Sequence, residues 1–185
     1  MSAATTGASP AGAGSFDVSP TLMAKGLAVL RIFFGVILFA NGLAKLFAFS
    51  AFSIGGYSAN LVNLPIARAI LAGDGGRRTE VPLVKGLVND IILPNWSFFQ
   101  VVITAVELGI GAALILGLAS RGAALVGLGQ QLFLAAVYFS SNRWVFEQPH
   151  EYVPLFILAV VPAGRVWGLD GLIVQARPRL GRWPF

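Results

Sequence analysis

The stretch LMAKGLAVLRIFFGVILFANGLAKL, residues 22–46, decides the fold class because it is almost continuously apolar. A membrane-spanning helix needs about 20 such residues to cross a hydrocarbon core of about 30 Å. Three further apolar segments of similar length follow, at 97–118, 122–140 and 151–168. We therefore predict an all-α integral membrane protein built as a four-helix bundle.

The composition supports a membrane protein and argues against other classes. Of the 185 residues, 56% are hydrophobic and only 11% are charged, whereas soluble domains carry about 25% charged residues. The net charge is +5, but the basic residues stand singly between apolar runs instead of forming the clustered face of a nucleic-acid binder. The predicted partner of this surface is the lipid bilayer, and no nucleic acid is expected.

The predicted transmembrane domain covers 21–172, between a flexible N-terminal tail at 1–20 and a basic C-terminal tail at 173–185. The first 20 residues are mostly small and lack the bulk to form a core. Short connections on one side of the bundle carry more Lys and Arg than those on the other. By the positive-inside rule both termini are predicted to be cytoplasmic.

The connection at 47–96 is too long to be a plain linker in a compact bundle, so we predict that it is structured. It opens with FAFSAFSIGGY at 47–57, whose aromatic residues suit a membrane interface. Farther on, apolar residues recur at helical spacing and predict an interfacial amphipathic helix that ends at Pro94. Its apolar positions are Val84, Leu87, Val88, Ile91 and Ile92. The helix is equally consistent with a cap on the bundle and with a partner-docking surface.

Two ionisable residues lie inside predicted spans, where an uncompensated charge is costly and usually pairs within the bundle. They are Arg31 and Glu107. Counted from the ends of their apolar segments, both lie roughly 14 to 17 Å deep. We therefore expect them to form an intramembrane pair with a catalytic role. The alternative is a purely structural pair that locks the bundle.

Helical spacing places further polar residues beside this pair. Gln100, Thr104 and Glu107 share one stripe of the second span, while Arg31 and Lys45 share one stripe of the first. On the opposite side of the second span, small residues recur every fourth position and favour close helix packing. These are Ala105, Gly109, Ala113 and Gly117.

The residue inventory limits which cofactors this chain can hold. It has no cysteine and a single histidine, His150. Iron–sulfur clusters and thiolate zinc sites need cysteines, and a bis-histidine haem needs two histidines. No haem, iron–sulfur cluster, zinc or other metal is therefore expected. His150 lies near several carboxylates in sequence, which fits either a proton relay or an exposed loop histidine.

Three motifs, in this order along the chain, resemble the DoxX/DoxD-like family of integral membrane proteins. They lie in LRIFFGVILFANGLAKL at 30–46, ELGIGAALILGLASRGAAL at 107–125 and AGRVWGLDGLI at 163–173. The matching positions are Arg31, Gly35, Gly42 and Lys45; Glu107, Gly111, Gly117 and Arg121; and Gly164, Arg165, Leu169 and Asp170. The resemblance covers most of the chain beyond the first 20 residues.

The resemblance implies a four-helix bundle and, in some members, the membrane subunit of a thiosulfate:quinone oxidoreductase. A quinone is then the expected cofactor and a redox subunit the expected partner. The expected location is the inner membrane of a bacterium or archaeon. Since this chain has no cysteine to attack a sulfur compound, its contribution would be a polar pocket for the quinone. The candidate pocket residues around the pair Arg31 and Glu107 are Lys45, Asn41, Thr104 and Gln100.

A second function of a different class remains open on the sequence. The chain is also consistent with a non-catalytic accessory subunit that packs inside a larger respiratory or photosynthetic membrane complex. The small-residue row of the second span suits such a contact as well as packing within the chain. A small transporter is less favoured, because no inverted repeat or broken helix is evident.

Overall fold

The computed structural model describes residues 19–144, 146–181 and 183–185, which are mostly helical. Across these residues the helices in chain order are α1 (Pro20–Phe47), α2 (Leu64–Ile70), α3 (Pro82–Gly86), α4 (Trp96–Leu116), α5 (Ser120–Val137), α6 (Pro149–Val160) and α7 (Leu169–Ala176). One hairpin, β1 (Ala51–Ile54) and β2 (Tyr57–Asn60), follows α1. Wider π-helical turns continue α2 over Leu71–Arg78 and α3 over Leu87–Ile92.

The closest contact in the bundle joins the antiparallel helices α1 and α4. Glycines make it possible: a Cβ on Gly111 would lie 2.7 Å from the Cα of Phe39, and one on Gly35 would lie 2.8 Å from the backbone nitrogen of Ile115. No side chain could stand at those two points without moving a backbone. Gly35 and Gly111, two glycines of the sequence motifs, therefore serve helix packing.

Helices α5 and α6 pack against this pair and complete one apolar core. The buried members of that core come from α1, α4, α5, α6 and the turn after α6: Phe34, Leu38, Ile110, Leu114, Ala124, Leu155, Leu158 and Ala163. The predicted inward stripes are confirmed, since Arg31 and Lys45 on α1 and Thr104 and Glu107 on α4 are all buried. The predicted small-residue row does not pack against another helix of the chain at Ala105 and Gly109, because both residues are exposed.

The long connection between α1 and α4 is structured, as its length predicted. The amphipathic helix is confirmed as α3 and its π-helical continuation, with Val84, Val88 and Ile92 buried. They pack with Leu71 and Val137 in a second apolar cluster at the C-terminal end of α5. The segment thus covers one end of the bundle.

Two of the described helices, α1 and α4, are long and apolar enough to cross a membrane, each with a mean hydropathy of 2.1 over its most apolar window. Only 22% of the α4 window is buried inside the protein. A core helix of a soluble protein would bury most of its apolar surface. The outward-facing apolar side chains of α4, such as Phe98 and Val101, therefore suit contact with lipid.

The fourth predicted span, 151–168, is wrong in length. Helix α6 has 12 residues and ends at Val160, which corresponds to about 18 Å. Pro162 stops it, since proline lacks the amide hydrogen that would continue the helix. The chain then turns through Ala163–Arg165 and enters α7.

The predicted termini fall partly outside the described residues. Residues 1–18 of the predicted N-terminal tail lie outside them, and α1 already begins at Pro20. The predicted start of the C-terminal tail at residue 173 falls inside α7. That boundary moves because Asp170 fixes the first turn of α7 against the start of α5, and the helix continues to Ala176.

Candidate functional site

A buried ion pair lies between the two apolar helices α1 and α4. Lys45 Nζ is 2.6 Å from Glu107 Oε2, and the two residues are only 3% and 6% exposed. The helices bring them together because Lys45 stands in the last turn of α1 and Glu107 near the middle of antiparallel α4. Away from water such a pair has a strong mutual attraction that offsets part of its desolvation cost.

Helix α5 adds an amide to the same site. Gln130 Nε2 donates to Glu107 Oε1 at 3.0 Å, so both carboxylate oxygens of Glu107 are occupied. The other end of that amide, Gln130 Oε1, is buried and accepts no hydrogen bond from the described residues. The cluster Lys45–Glu107–Gln130 therefore contains an unused acceptor beside an ion pair. In the sequence, Gln130 stands inside an apolar run, and a polar residue within a predicted span is the signal that points to this site.

The short segment after the hairpin, residues 61–63, covers this cluster. Lys45 Nζ also donates to the backbone carbonyl of Val62 at 2.8 Å, while the backbone amide of Val62 donates to Asn41 Oδ1 at 2.9 Å. Both polar backbone groups of Val62 are thus held by side chains of α1. Asn41, predicted as a pocket residue, here holds this segment in place.

The remaining predicted pocket residues lie on the stripe of Glu107 without joining its hydrogen bonds. Thr104 is buried one turn away, and its hydroxyl donates to the backbone carbonyl of Gln100 at 2.7 Å. Gln100 is half-buried, a further turn toward the start of α4. These two residues border the cluster on the side toward Trp96.

The predicted pair between Arg31 and Glu107 is wrong, because Glu107 pairs with Lys45. Arg31 is fully buried, but its Nη2 donates to the backbone carbonyl of Trp167 at 2.9 Å. Contacts of Gly42 with Leu108 and of Gly35 with Ile115 set the helix register. One turn farther, Arg31 meets the end of α4 at Gly117, about 21 Å along α1 from Lys45.

Arg31 and Glu107 do not meet because the ends of α1 and α4 do not lie at the same level. Helix α1 extends about three turns beyond the level where α4 ends, so distances counted from the two helix ends do not correspond to one depth. The guanidinium of Arg31 instead packs against two glycines, Gly117 and Gly168, where any Cβ would collide with it. Its Nε and Nη1 make no hydrogen bond with the described residues.

Asp170, from the third motif, fixes the start of α5. It is fully buried and accepts hydrogen bonds from the amides of Ala119 and Ser120, at 2.6 and 2.9 Å, and from the Ser120 hydroxyl at 2.7 Å. It therefore caps the N-terminus of α5 from a distant part of the chain. The Leu-Asp ending of the motif thus has a structural role.

A second polar cluster surrounds Asp74 at the other end of the bundle. Asp74 accepts from Ser141 Oγ at 2.8 Å and pairs with Arg78 at 3.1 Å and with Arg143 at 3.9 Å. It ties the long connection to the end of α5. Sequence reasoning missed it because its members are far apart along the chain. His150 is exposed, with Nδ1 3.0 Å from the carbonyl of Phe146.

Apolar helices that expose their hydrophobic side chains, with a charged cluster buried between them, define a helical membrane protein. The sequence profile of the DoxX family matches residues 26–141, more than half of the chain. The chain therefore belongs to the DoxX family, as its three motifs predicted. The matched region contains Lys45, Glu107 and Gln130. No curated protein and no solved structure matches the chain.

Proposed function

We propose that this chain is the membrane subunit of a quinone-linked oxidoreductase and that the Lys45–Glu107–Gln130 cluster is its quinone site. The observation that carries the proposal is the buried ion pair with an unused acceptor beside it, between two apolar helices of a DoxX chain. Buried charges in membrane helices usually mark functional sites.

The donors and acceptors of the cluster fit a quinone. A quinone carbonyl needs hydrogen-bond donors, and Lys45 Nζ and Gln130 Nε2 supply them from two different helices. The hydroxyl of the reduced form needs an acceptor, and Gln130 Oε1 is buried and unused. Both oxidation states therefore find partners among the same side chains.

Access to the cluster requires the segment at 61–63 to move. The carbonyl of Val62 occupies one donor position of Lys45, and a quinone carbonyl would need that position for a bond of the same kind. Asn41 holds the amide of Val62 and so opposes that exchange. Residues 61–63 thus form a gate, and Asn41 sets how easily it opens.

A bound quinone supplies the electron acceptor, taking up two electrons and two protons. The Lys45 ammonium would hold a quinone oxygen through a charge-assisted hydrogen bond. Glu107 lies within hydrogen-bond distance of Lys45 and Gln130 and is placed to hold and pass on a proton. Since the chain has no cysteine, the electrons come from a partner redox subunit that oxidises the donor, with a sulfur compound as the donor class.

In the membrane arrangement that we propose, α5 and α6 complete a four-helix bundle with α1 and α4. Helix α5 has 18 residues, about 27 Å. The shorter α6 continues as the turn at Ala163–Arg165 to reach the same surface. That end carries most of the isolated basic residues and is assigned to the cytoplasm of a bacterial or archaeal cell.

The experiment is a titration of the full chain in lipid nanodiscs with a short-chain quinone, comparing the parent with Glu107→Gln and Lys45→Met. We expect Lys45→Met to weaken binding at least tenfold, since a charged hydrogen-bond donor is lost. Lys85→Met, at an exposed position of α3, is the matched control and should bind like the parent. Equal binding by all four proteins would exclude the site.

A non-catalytic accessory role is a second candidate, favoured by the exposed small residues of α4. Ala105 and Gly109 are exposed, and a Cβ on Gly109 would contact nothing within 4 Å. This flat strip can receive a helix of another subunit at close range. Under this alternative, Gly109→Leu abolishes co-purification with a large membrane complex, while the double variant Lys45→Met with Glu107→Gln, which leaves no unpaired buried charge, keeps it.

A further inference from the structure

An open groove of about 500 Å³ lies at the end of the molecule opposite the Asp74 cluster. The last turn of α4, the turn before α7 and one face of α7 form its walls. Apolar side chains line most of it, among them Ile115, Leu116 and Leu172, and its polar lining residues are Arg165 and Gln175. Leu116 and Leu172 are 52% and 62% exposed, so the apolar lining lacks a partner within the protein.

The charge of this end of the bundle is strongly positive. The antiparallel helices place six described cations there: Lys25, Arg31, Arg121, Arg165, Arg177 and Arg179. The one acidic side chain among the described residues at this end is Asp170, which is fully buried and caps α5. Six cations against this one carboxylate leave a net positive charge for an anion that enters the groove.

A buried cation lies directly behind the floor of the groove. Gly168 lines the groove, and a Cβ on it would collide with Nη1 of Arg31. Arg31 is fully buried, its Nη1 donates no hydrogen bond to the described residues, and no described carboxylate lies within salt-bridge distance of it. Through this thin wall of glycine backbone its charge acts on the groove at close range, in surroundings of low dielectric.

We propose that this groove binds an anionic phospholipid. Its phosphate lies at Arg165 and Gln175, in the field of Arg31, and an acyl chain covers Ile115, Leu116 and Leu172. Trp167 lines the same groove and is 60% exposed, as expected of an aromatic anchor at headgroup level. Positive residues at a membrane surface attract anionic lipids. The mixed lining favours an amphiphile over a free anion, and the proposal is independent of the quinone site.

The test uses the full chain, purified in a non-ionic detergent and examined by native mass spectrometry. The probes are phosphatidylglycerol, phosphatidylcholine with the same acyl chains, and free glycerol phosphate as competitor. We expect phosphatidylglycerol to be retained at least fivefold more than phosphatidylcholine, with no displacement by glycerol phosphate. Equal retention of the two lipids, or retention of neither, would overturn the proposal. Displacement by glycerol phosphate would show a free-anion site instead.

Two pairs of variants locate the site. Arg165→Gln is expected to weaken phosphatidylglycerol binding about fivefold, and Arg179→Gln, which removes an exposed charge at the same end, less than twofold. Because Arg165 also donates to the carbonyls of Gly181 and Phe185, Leu172→Glu provides a second approach. It places a negative charge in the groove and should abolish retention, whereas Leu22→Glu should preserve it. Equal effects within either pair would overturn the proposal.

Discussion

Lys45 and Glu107 stand 62 positions apart in the sequence, and their side chains meet at 2.6 Å between α1 and α4. The pair ties the last turn of one apolar helix to the middle of the other. Gln130 and the carbonyl of Val62 complete its hydrogen bonds. This one contact therefore joins α1, α4, α5 and the segment after the hairpin.

Removing one partner of this pair should destabilise the protein. Lys45→Met leaves Glu107 as a buried charge without its cation, which costs about 3 to 5 kcal/mol. The double variant Lys45→Met with Glu107→Gln should recover part of that loss. Unfolding in mixed micelles of dodecyl sulfate measures the difference, with Lys85→Met as the control. A single variant that unfolds like the parent would show that the pair contributes little to stability.

The glycine contact between α1 and α4 gives a matched pair of substitutions. Gly111→Ala introduces a Cβ that would meet the backbone of Phe39, so we expect a loss of about 1 to 3 kcal/mol. Gly109→Ala, on the open side of the same helix, should be neutral or slightly stabilising because alanine is the better helix former. The same unfolding measurement compares them. Similar values for both would contradict the close contact of the helices.

Asp170 caps α5, so its replacement should destabilise the first turn of that helix. Asp170→Ala leaves the amides of Ala119 and Ser120 without their acceptor, at a cost of about 1 to 2 kcal/mol. Hydrogen exchange of the first turn of α5 should accelerate in this variant. Asp90→Ala, at an exposed position, is the control. Unchanged exchange at Ser120 would refute the cap.

The gate over the ion pair should open when Asn41 is replaced. Asn41→Leu removes the acceptor of the Val62 amide while keeping the size of the side chain. We expect faster hydrogen exchange at Val62 and a higher association rate for a short-chain quinone, with Asn60→Leu in β2 as the control. If exchange accelerates and the association rate stays the same, residues 61–63 do not limit access.

The sequence predicted the features that depend on local spacing. The inward stripe with Arg31 and Lys45 on α1, and that with Thr104 and Glu107 on α4, follow from the helical period alone. The amphipathic segment around Val88 was recognised for the same reason. The glycines at 35, 42 and 111 were identified as motif positions, and the structure adds their role in helix contact.

What the sequence did not predict depends on how distant elements align. The partner of Glu107 is set by the register of α4 against α1, and that register comes from glycine contacts no single helix reveals. The length of α6 was overestimated because Pro162 was counted within an apolar run. The Asp74 cluster joins residues as far apart as Asp74 and Ser141, so no local pattern identifies it.

Photo-crosslinking with an azido-quinone in nanodiscs, mapped by mass spectrometry of the labelled peptides, tests the quinone site directly. We expect labels on Val62 and on α4 around Glu107, and their loss in Lys45→Met. Arg165→Gln, at the separate groove, should keep them. Labels confined to α7 and the last turn of α4, or labelling unaffected by Lys45→Met, would contradict a quinone site at the Lys45–Glu107–Gln130 cluster.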